Sequence, residues 1–216
     1  MSSNEAWLAL YFDAPLLSFG GECKFDRRET LSFPSRSAVT GLVAAALGVA
    51  RDDRPALARL AQLRLESVAF REKMGVLLED YHTAGGGYPG NSADIPVSAS
   101  RKSHPVVTQR HYFADGKFGA VLAGPSGFLE EIGQALRDPV WGGWIGRKHC
   151  IPTTPVFQGI FPAEQEALAK LQTLAEGSEL RIYEECPLET SGAMLYPDLP
   201  VDFSSREFRP RAVEER

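Results

Sequence analysis

The order of apolar segments predicts an α+β protein. It is a ferredoxin-like (RRM-like) domain over residues 5–149, carrying an insertion at about 82–107 and a small C-terminal extension over 150–216. Three observations predict this. Segments of strand and helix character follow the order strand, helix, strand, strand, helix, strand, which is that of a split βαβ unit. The stretch ending in Leu42–Leu47 is apolar around most of a helix and rich in Ala and Gly, so it lies close on a sheet in the core. Between His82 and Val107, 26 residues hold Gly85, Gly86, Gly87, Gly90, Pro89, Pro96 and Pro105, too long a segment for a bland turn.

Trp7–Phe12 (WLALYF) reads as a buried strand that stops at Asp13-Ala14-Pro15. Pro15–Pro34 has no period and reads as a long loop, which inside a compact domain is usually functional. Ser35 or Ser37 caps a helix running to Leu47, with Gly48 as its stop. Pro55–Leu63 is a short helix with proline in its first turn. Arg64–Arg71 alternates like a strand, and Val76–Tyr81 is the next one. Thr108–Ala114 and Lys117–Ala123 flank Asp115-Gly116, a hairpin signal. Phe128, Leu129, Ile132 and Leu136 share one face of a helix over Gly127–Leu136. Trp141–Lys148 returns as a strand or turn. In such folds the antiparallel sheet lies on one side of two helices. Beyond it, Ala163–Ala175 is helical, with short strands at Glu179–Glu185 and around Met194. No repeat or low-complexity tract occurs.

The chain of 216 residues is 44% apolar and 24% charged, the composition of a soluble globular protein. No apolar run is long enough to span a bilayer, and Glu5 stands where a secretion signal wants positive charge. Cys23, Cys150 and Cys186 are odd in number and widely spaced, which fits a reducing cytoplasm. Net charge is −5, but it is unevenly spread: residues 1–125 balance near neutrality, whereas 126–216 carry the acidic excess. Ile95–Phe113 contains no acid and holds Arg101, Lys102, His104, Arg110 and His111. A local patch of this kind matters more for RNA binding than the global sum.

Metal, nucleophile and nucleotide motifs are weak. The histidines and cysteines show no ligand spacing, so no metal and no cofactor is expected. Cys150 reads as a buried structural thiol despite His149 beside it. Neither glycine cluster, Gly85–Gly87 or Gly142-Gly143, is followed by Lys-Ser/Thr. Cation clusters are the best signal: Lys24/Arg27/Arg28, Arg36, Arg101/Lys102/Arg110 and Arg147/Lys148. Arg36 and Ser37 stand at a helix N-terminus, where free N–H groups and the dipole favour a phosphate by ~0.3–1 kcal/mol. Phe19, Phe25, Phe33, Tyr88, Tyr112 and Phe113 lie close in sequence as stacking surfaces. The competing reading packs Phe25 and Phe33 under the loop and pairs the cations with Glu22, Asp26 and Glu29.

Five phrases in order, DAPLLSFGG, FPSRSAVTGLVAAALG, EDYHT, QRHYFADGKFGAVLAG and WIGRKHCIPTTPVF, resemble the CasD branch of the Cas-five family in CRISPR type I-E Cascade. They run from Asp13 to Phe157, about two thirds of the chain. The resemblance implies a crRNA-handle-binding domain with a β-hairpin thumb, here the insertion at 82–107. It implies a subunit that caps the 5′ handle of crRNA in antiviral defence, contacts the Cascade backbone subunit and the large subunit, and meets target DNA only indirectly. Cutting of crRNA belongs to a separate endonuclease, so the subunit is expected to be non-catalytic. Departures are the Gly85–Gly90 run and His149 after Arg147-Lys148.

On that reading Gly20 and Gly21 let the backbone approach RNA. Lys24, Arg27, Arg28 and Arg36 neutralise handle phosphates, with Ser37 at the same helix start. Arg101, Lys102 and His104 close over the strand beside Arg110, and Arg147 and Lys148 contact phosphate or brace the loop. Arg36→Ala then lowers the salt slope of binding by ~0.7. The alternative is a metal-independent endoribonuclease of type I-C character that processes precursor crRNA, with Tyr112, Lys148 and His149 as its acid–base groups. A third reading is a protein–protein scaffold without RNA.

Overall fold

In the computed structural model, residues 5–21, 26–84 and 106–216 are described. Lys24, Arg101, Lys102, His104 and the greater part of the 82–107 insertion lie outside the described residues. Among the described residues the architecture is mixed α and β: a seven-stranded antiparallel sheet, a second, smaller sheet, and four helices.

Strand β1 (Glu5–Asp13) runs through the large sheet and is buried on both faces. Leu8, Leu10 and Phe12 join the core under the helices α1 (Arg36–Leu47), α2 (Arg54–Ala61) and α3 (Ser126–Arg137). Ala9 and Tyr11 join Ala167, Leu171 and Ala175 around α4 (Glu164–Leu174) on the opposite face. Helices thus cover both faces, rather than one as expected, and this explains the unbroken apolar run WLALYF.

The remaining strands are β2 (Leu16–Leu17), β3 (Arg27–Arg28), β4 (Arg64–Phe70), β5 (Val76–Ala84), β6 (Val106–Ala114), β7 (Lys117–Pro125), β8 (Phe157–Phe161), β9 (Leu180–Cys186), β10 (Met194–Asp202) and β11 (Glu207–Glu215). The large sheet has the order β10-β11-β9-β4-β7-β1-β8. The C-terminal third therefore supplies β8, β9, β10 and β11 to the same sheet as β1.

The structure corrects two expectations about elements. Of the strand or turn expected at Trp141–Lys148, bends leading into a turn form, and the strand beside β1 is β8, further along the chain. Asp115-Gly116 is not a hairpin turn, because β6 and β7 belong to different sheets. The backbone at that bend bonds elsewhere: Asp115 N–H donates to Pro15 O (3.0 Å) and Lys117 N–H to Lys73 O (2.7 Å), with Asp115 at φ 54°. The hairpin that does form is β5–β6, paired residue for residue from Val76↔Ala114 to Ala84↔Val106.

Helix α1 is built as its sequence dictates. Ser35 Oγ accepts from Ala38 N–H (3.2 Å), and Gly48 at φ 72° closes the other end with N–H bonds back to Ala44 and Ala45. Asp53 Oδ1 caps α2 by accepting from Ala56 N–H (3.0 Å). Among the described residues, no helix is long and apolar enough to cross a membrane.

Candidate nucleic-acid interface

The smaller sheet gathers cations around β6. Strand β3 lies parallel to it, setting Arg27 opposite Gln109 and Arg28 opposite Arg110. Gln109 N–H donates to Asp26 O (2.9 Å), which fixes that register. On the other edge β5 places Asp80 opposite Arg110 and His82 opposite Thr108. A tight turn over 145–150 completes the face. Ile145 N–H donates to Cys150 O (2.8 Å) and Cys150 N–H to Arg147 O (2.9 Å), so Arg147-Lys148-His149 forms its tip.

Arg147 ties the turn to the sheet. Its Nη1 donates to His111 O (3.1 Å) and its Nη2 to Arg28 O (2.8 Å). Its guanidinium also lies 4.4 Å from the Tyr112 ring centroid. Both hydrogen-bond acceptors are neutral carbonyls, so the charge is positioned without being neutralised. Gly146 makes the close approach possible: it sits at φ +84°, and a Cβ there would fall 1.7 Å from Ser18 O.

Among the described residues, Arg27, Arg110, Arg147 and Lys148 make no ion pair, whereas Arg59, Arg71, Lys73 and Arg216 elsewhere on the surface each face a carboxylate. His149 reports the resulting field. Burial and then the Arg147 and Arg110 charges push its pKa below the ordinary histidine value, with Asp80 pulling the other way. Its ring stands 5.1 Å from that of Tyr112. Cys150 is buried and its thiol is pushed up by burial, as a structural cysteine should be.

The predicted site residues divide into several groups. Arg28, Arg110, Arg147 and Lys148 gather at the face just described, whereas Arg27, in register with Gln109, falls on the opposite side of the small sheet. Gly20 and Gly21 lie on the adjoining strand-like segment, where Gly20 bridges Thr30 and Gly21 N–H donates to Glu29 O (3.2 Å). A Cβ at Gly20 would meet nothing within 4 Å, so the fold itself does not demand glycine there. Lys24, Arg101, Lys102 and His104 fall outside the described residues.

Arg36 is a correction. Its side chain is 1% exposed, and its Nη2 donates to Leu60 O (2.9 Å) and Leu63 O (2.7 Å) while Nη1 donates to Glu185 Oε1 (3.1 Å). Burial pulls its pKa down and Glu185 pulls it back. The helix N-terminus is occupied as well, because Arg36 N–H donates to Asp198 Oδ2 (2.8 Å). The anion that α1 attracts is a carboxylate of the same chain, itself clamped by Arg211 Nε (2.6 Å). No face of Arg36 is left for a phosphate.

Ser37 is half-buried and meets Lys148 across a groove on α1 that Trp141, Trp144 and Phe203 also line. Reading from sequence passed over these two tryptophans and treated Gly142-Gly143 as a bare turn. The signal was present, since an aromatic on each side of a glycine pair and just before Arg-Lys-His is a stacking surface on adaptable backbone.

The chain matches the family described as CRISPR-associated protein (Cas_Cas5) over residues 7–214. It is 30% identical over 193 residues to the CRISPR system Cascade subunit CasD of Escherichia coli (strain K12), covering 81% of this chain and 80% of the relative. Its fold is similar to a chain of a solved CRISPR RNA-guided surveillance complex, with TM-score 0.76 and 27% identity, covering 97% of this chain and 89% of that one. A crystal structure of a Cas protein is also similar, with TM-score 0.68 and 28% identity, covering 97% and 93%.

Proposed function

The chain belongs to the Cas5 family of CRISPR-associated proteins, and from that premise we propose that it is a non-catalytic RNA-binding subunit of a type I Cascade surveillance complex, gripping the 5′ handle of crRNA. The observation that carries the proposal is the set of cations Arg110, Arg147 and Lys148, gathered around β6 and without an ion pair among the described residues. Cations left unneutralised by their own chain are available to phosphates, and each phosphate contact contributes to salt-dependent binding. The local field, not the net charge of −5, is what an RNA strand meets.

In this reading β4, β7, β1 and β8, with α1 and α3, are the split βαβ unit. Its handle-binding part over residues 5–149 takes its last strand from β8, beyond that boundary. The β5–β6 hairpin is the base of the thumb. Among the described residues no strand pairs the outer edge of β5, which exposes Val76, Leu77, Leu78 and Tyr81, a surface suited to the Cascade backbone or large subunit. Target DNA is met only indirectly, through the assembled complex.

The endoribonuclease alternative draws on Tyr112 and His149, whose rings approach each other. Tyr112 is 2% exposed beneath Arg147, which suits a packing role better than proton transfer to a substrate. The test has two arms. Titrating labelled repeat RNA at several salt concentrations should show a slope that falls by ~0.7 for Arg110→Ala and again for Lys148→Ala. Unchanged slopes in both variants overturn the RNA-binding reading. Incubation with the same RNA in the absence of metal should leave it intact, and site-specific cleavage above the handle would make the chain an enzyme.

A further inference from the structure

The groove on α1 has a volume of about 450 Å³, within the ~300–1,000 Å³ range of small-molecule sites. Its floor is a row of small residues, Ser37, Ala38, Gly41, Ala44 and Ala45, with Leu42 beside them. Its walls are Trp141 and Trp144 on one side and Phe203 with Arg51 on the other, and Lys148 stands at its edge. The walls are fixed from both ends. Val140 N–H donates to Ala46 O (3.0 Å) and Trp141 N–H to Ala45 O (3.1 Å), strapping the tryptophan loop to α1. Opposite, Phe203 N–H donates to Arg51 O (2.9 Å) and Arg51 Nη2 to Phe203 O (3.0 Å).

We propose that this groove is a stacking site for one unpaired nucleobase of a bound RNA strand, with Trp144 and Trp141 as the stacking surface and Lys148 and Arg51 flanking its phosphates. The inference deepens the RNA-binding reading above and rests on it.

Three observations favour a base over an aliphatic or acidic protein anchor. The lining contains aromatic rings and two cations but no carboxylate. Trp141 is 44% exposed although its backbone is pinned, so an indole face is presented to solvent at no further ordering cost. The groove is also continuous with the cationic face. Arg147 reaches back to β6, while the next residue, Lys148, lines the groove with its Nζ 5.9 Å from the Trp144 ring centroid. A strand whose phosphates run along Arg110 and Arg147 therefore arrives at the tryptophans within one residue of protein backbone. Base–aromatic stacking tolerates any base, so the site fixes the position of the strand rather than its sequence.

The experiment compares a short unstructured RNA with the same ribose-phosphate chain carrying abasic residues, using the full chain and reading both affinity and tryptophan emission. Unmodified RNA should quench the emission, and the abasic strand should bind at least about fivefold more weakly. Trp144→Ala and Trp141→Ala should lose a similar factor for unmodified RNA and little for the abasic strand. Trp144→Phe should recover most of the loss, with an unchanged circular dichroism spectrum as the folding control. If both alanine variants bind normal RNA like the parent, or weaken both strands equally, the stacking site is wrong while the cationic face stands. If the parent chain binds neither strand, the RNA-binding reading falls and takes the groove with it.

Discussion

Replacing Arg36 by alanine distinguishes a structural cation from a phosphate ligand. The guanidinium is buried and donates to two backbone carbonyls, at Leu60 and Leu63, and to Glu185. Its loss strands two buried acceptors, at ~1–3 kcal/mol each. It also removes the nearer of two partners of the half-buried Glu185 carboxylate, leaving Arg211 Nη1 at 3.5 Å, so this part falls at or below the ~3–5 kcal/mol of a buried pair broken from one side. These contributions overlap, so the expected destabilisation is about 4 kcal/mol, a large part of the ~5–15 kcal/mol by which domains are stable. With a urea slope of ~2 kcal/mol/M the unfolding midpoint should fall by about 2 M. The RNA affinity of the folded protein at low urea should keep its salt slope. A midpoint shift below about 0.3 M, or a slope reduced by ~0.7, would refute the assignment and return Arg36 to the phosphate face.

Other perturbations probe the turn and the sheet. Gly146→Ala places a Cβ on Ser18 O and forces a left-handed backbone, a strain of at least ~1–2 kcal/mol; melting temperature and RNA affinity should drop together, and normal RNA binding would show that the turn does not position the cations. Arg147→Lys keeps the charge but cannot span the carbonyls of Arg28 and His111; a filter-binding titration should show weaker binding at an unchanged salt slope. Glu66 is held up to about 7, by burial first and then by the Glu164 charge, against the pull of Arg216. Its folded-state pKa lies above the unfolded value, so the folded state holds the proton longer and stability declines as pH rises from about 4.5 towards 7. Urea midpoints at pH 5 and pH 8 should differ less in Glu66→Gln than in the parent, with the variant the more stable at pH 8.

The pattern of apolar residues was enough to place α1, α2, α3 and α4 and the strands β1, β4, β5, β6, β7 and β9 to within a few residues. Strand β8 was invisible because Gly159 interrupts FQGIF, and what makes it a strand is the edge of β1. Strand β11 carries Pro210, which sits where its register with β10 shifts. The edge strand β10 holds Pro197 and Pro200 beside its own irregularities, tolerable where, among the described residues, no further strand pairs. The site was half legible. Arg147 and Lys148 stand out as a cation pair, but that Arg147 spends its donors on carbonyls depends on where Arg28 and His111 arrive in space. Arg36 misled for a physical reason: a Ser-Arg-Ser helix start looks the same whether its anion is external or is Asp198, 162 residues further on.

That closure of α1 by Asp198 has a consequence in time. A chain made from its N-terminus exposes helix and guanidinium long before their acceptors exist, since Glu185 and Asp198 lie 149 and 162 residues further along. Until then Arg36 belongs in water, and the helix end has only Ser35 to cap it. Helix α1 is thus finished by strands made much later, β9, β10 and β11. Contacts this distant in sequence make folding slow and late, so the arrival of these strands, and not the formation of α1 alone, sets when the fold is complete.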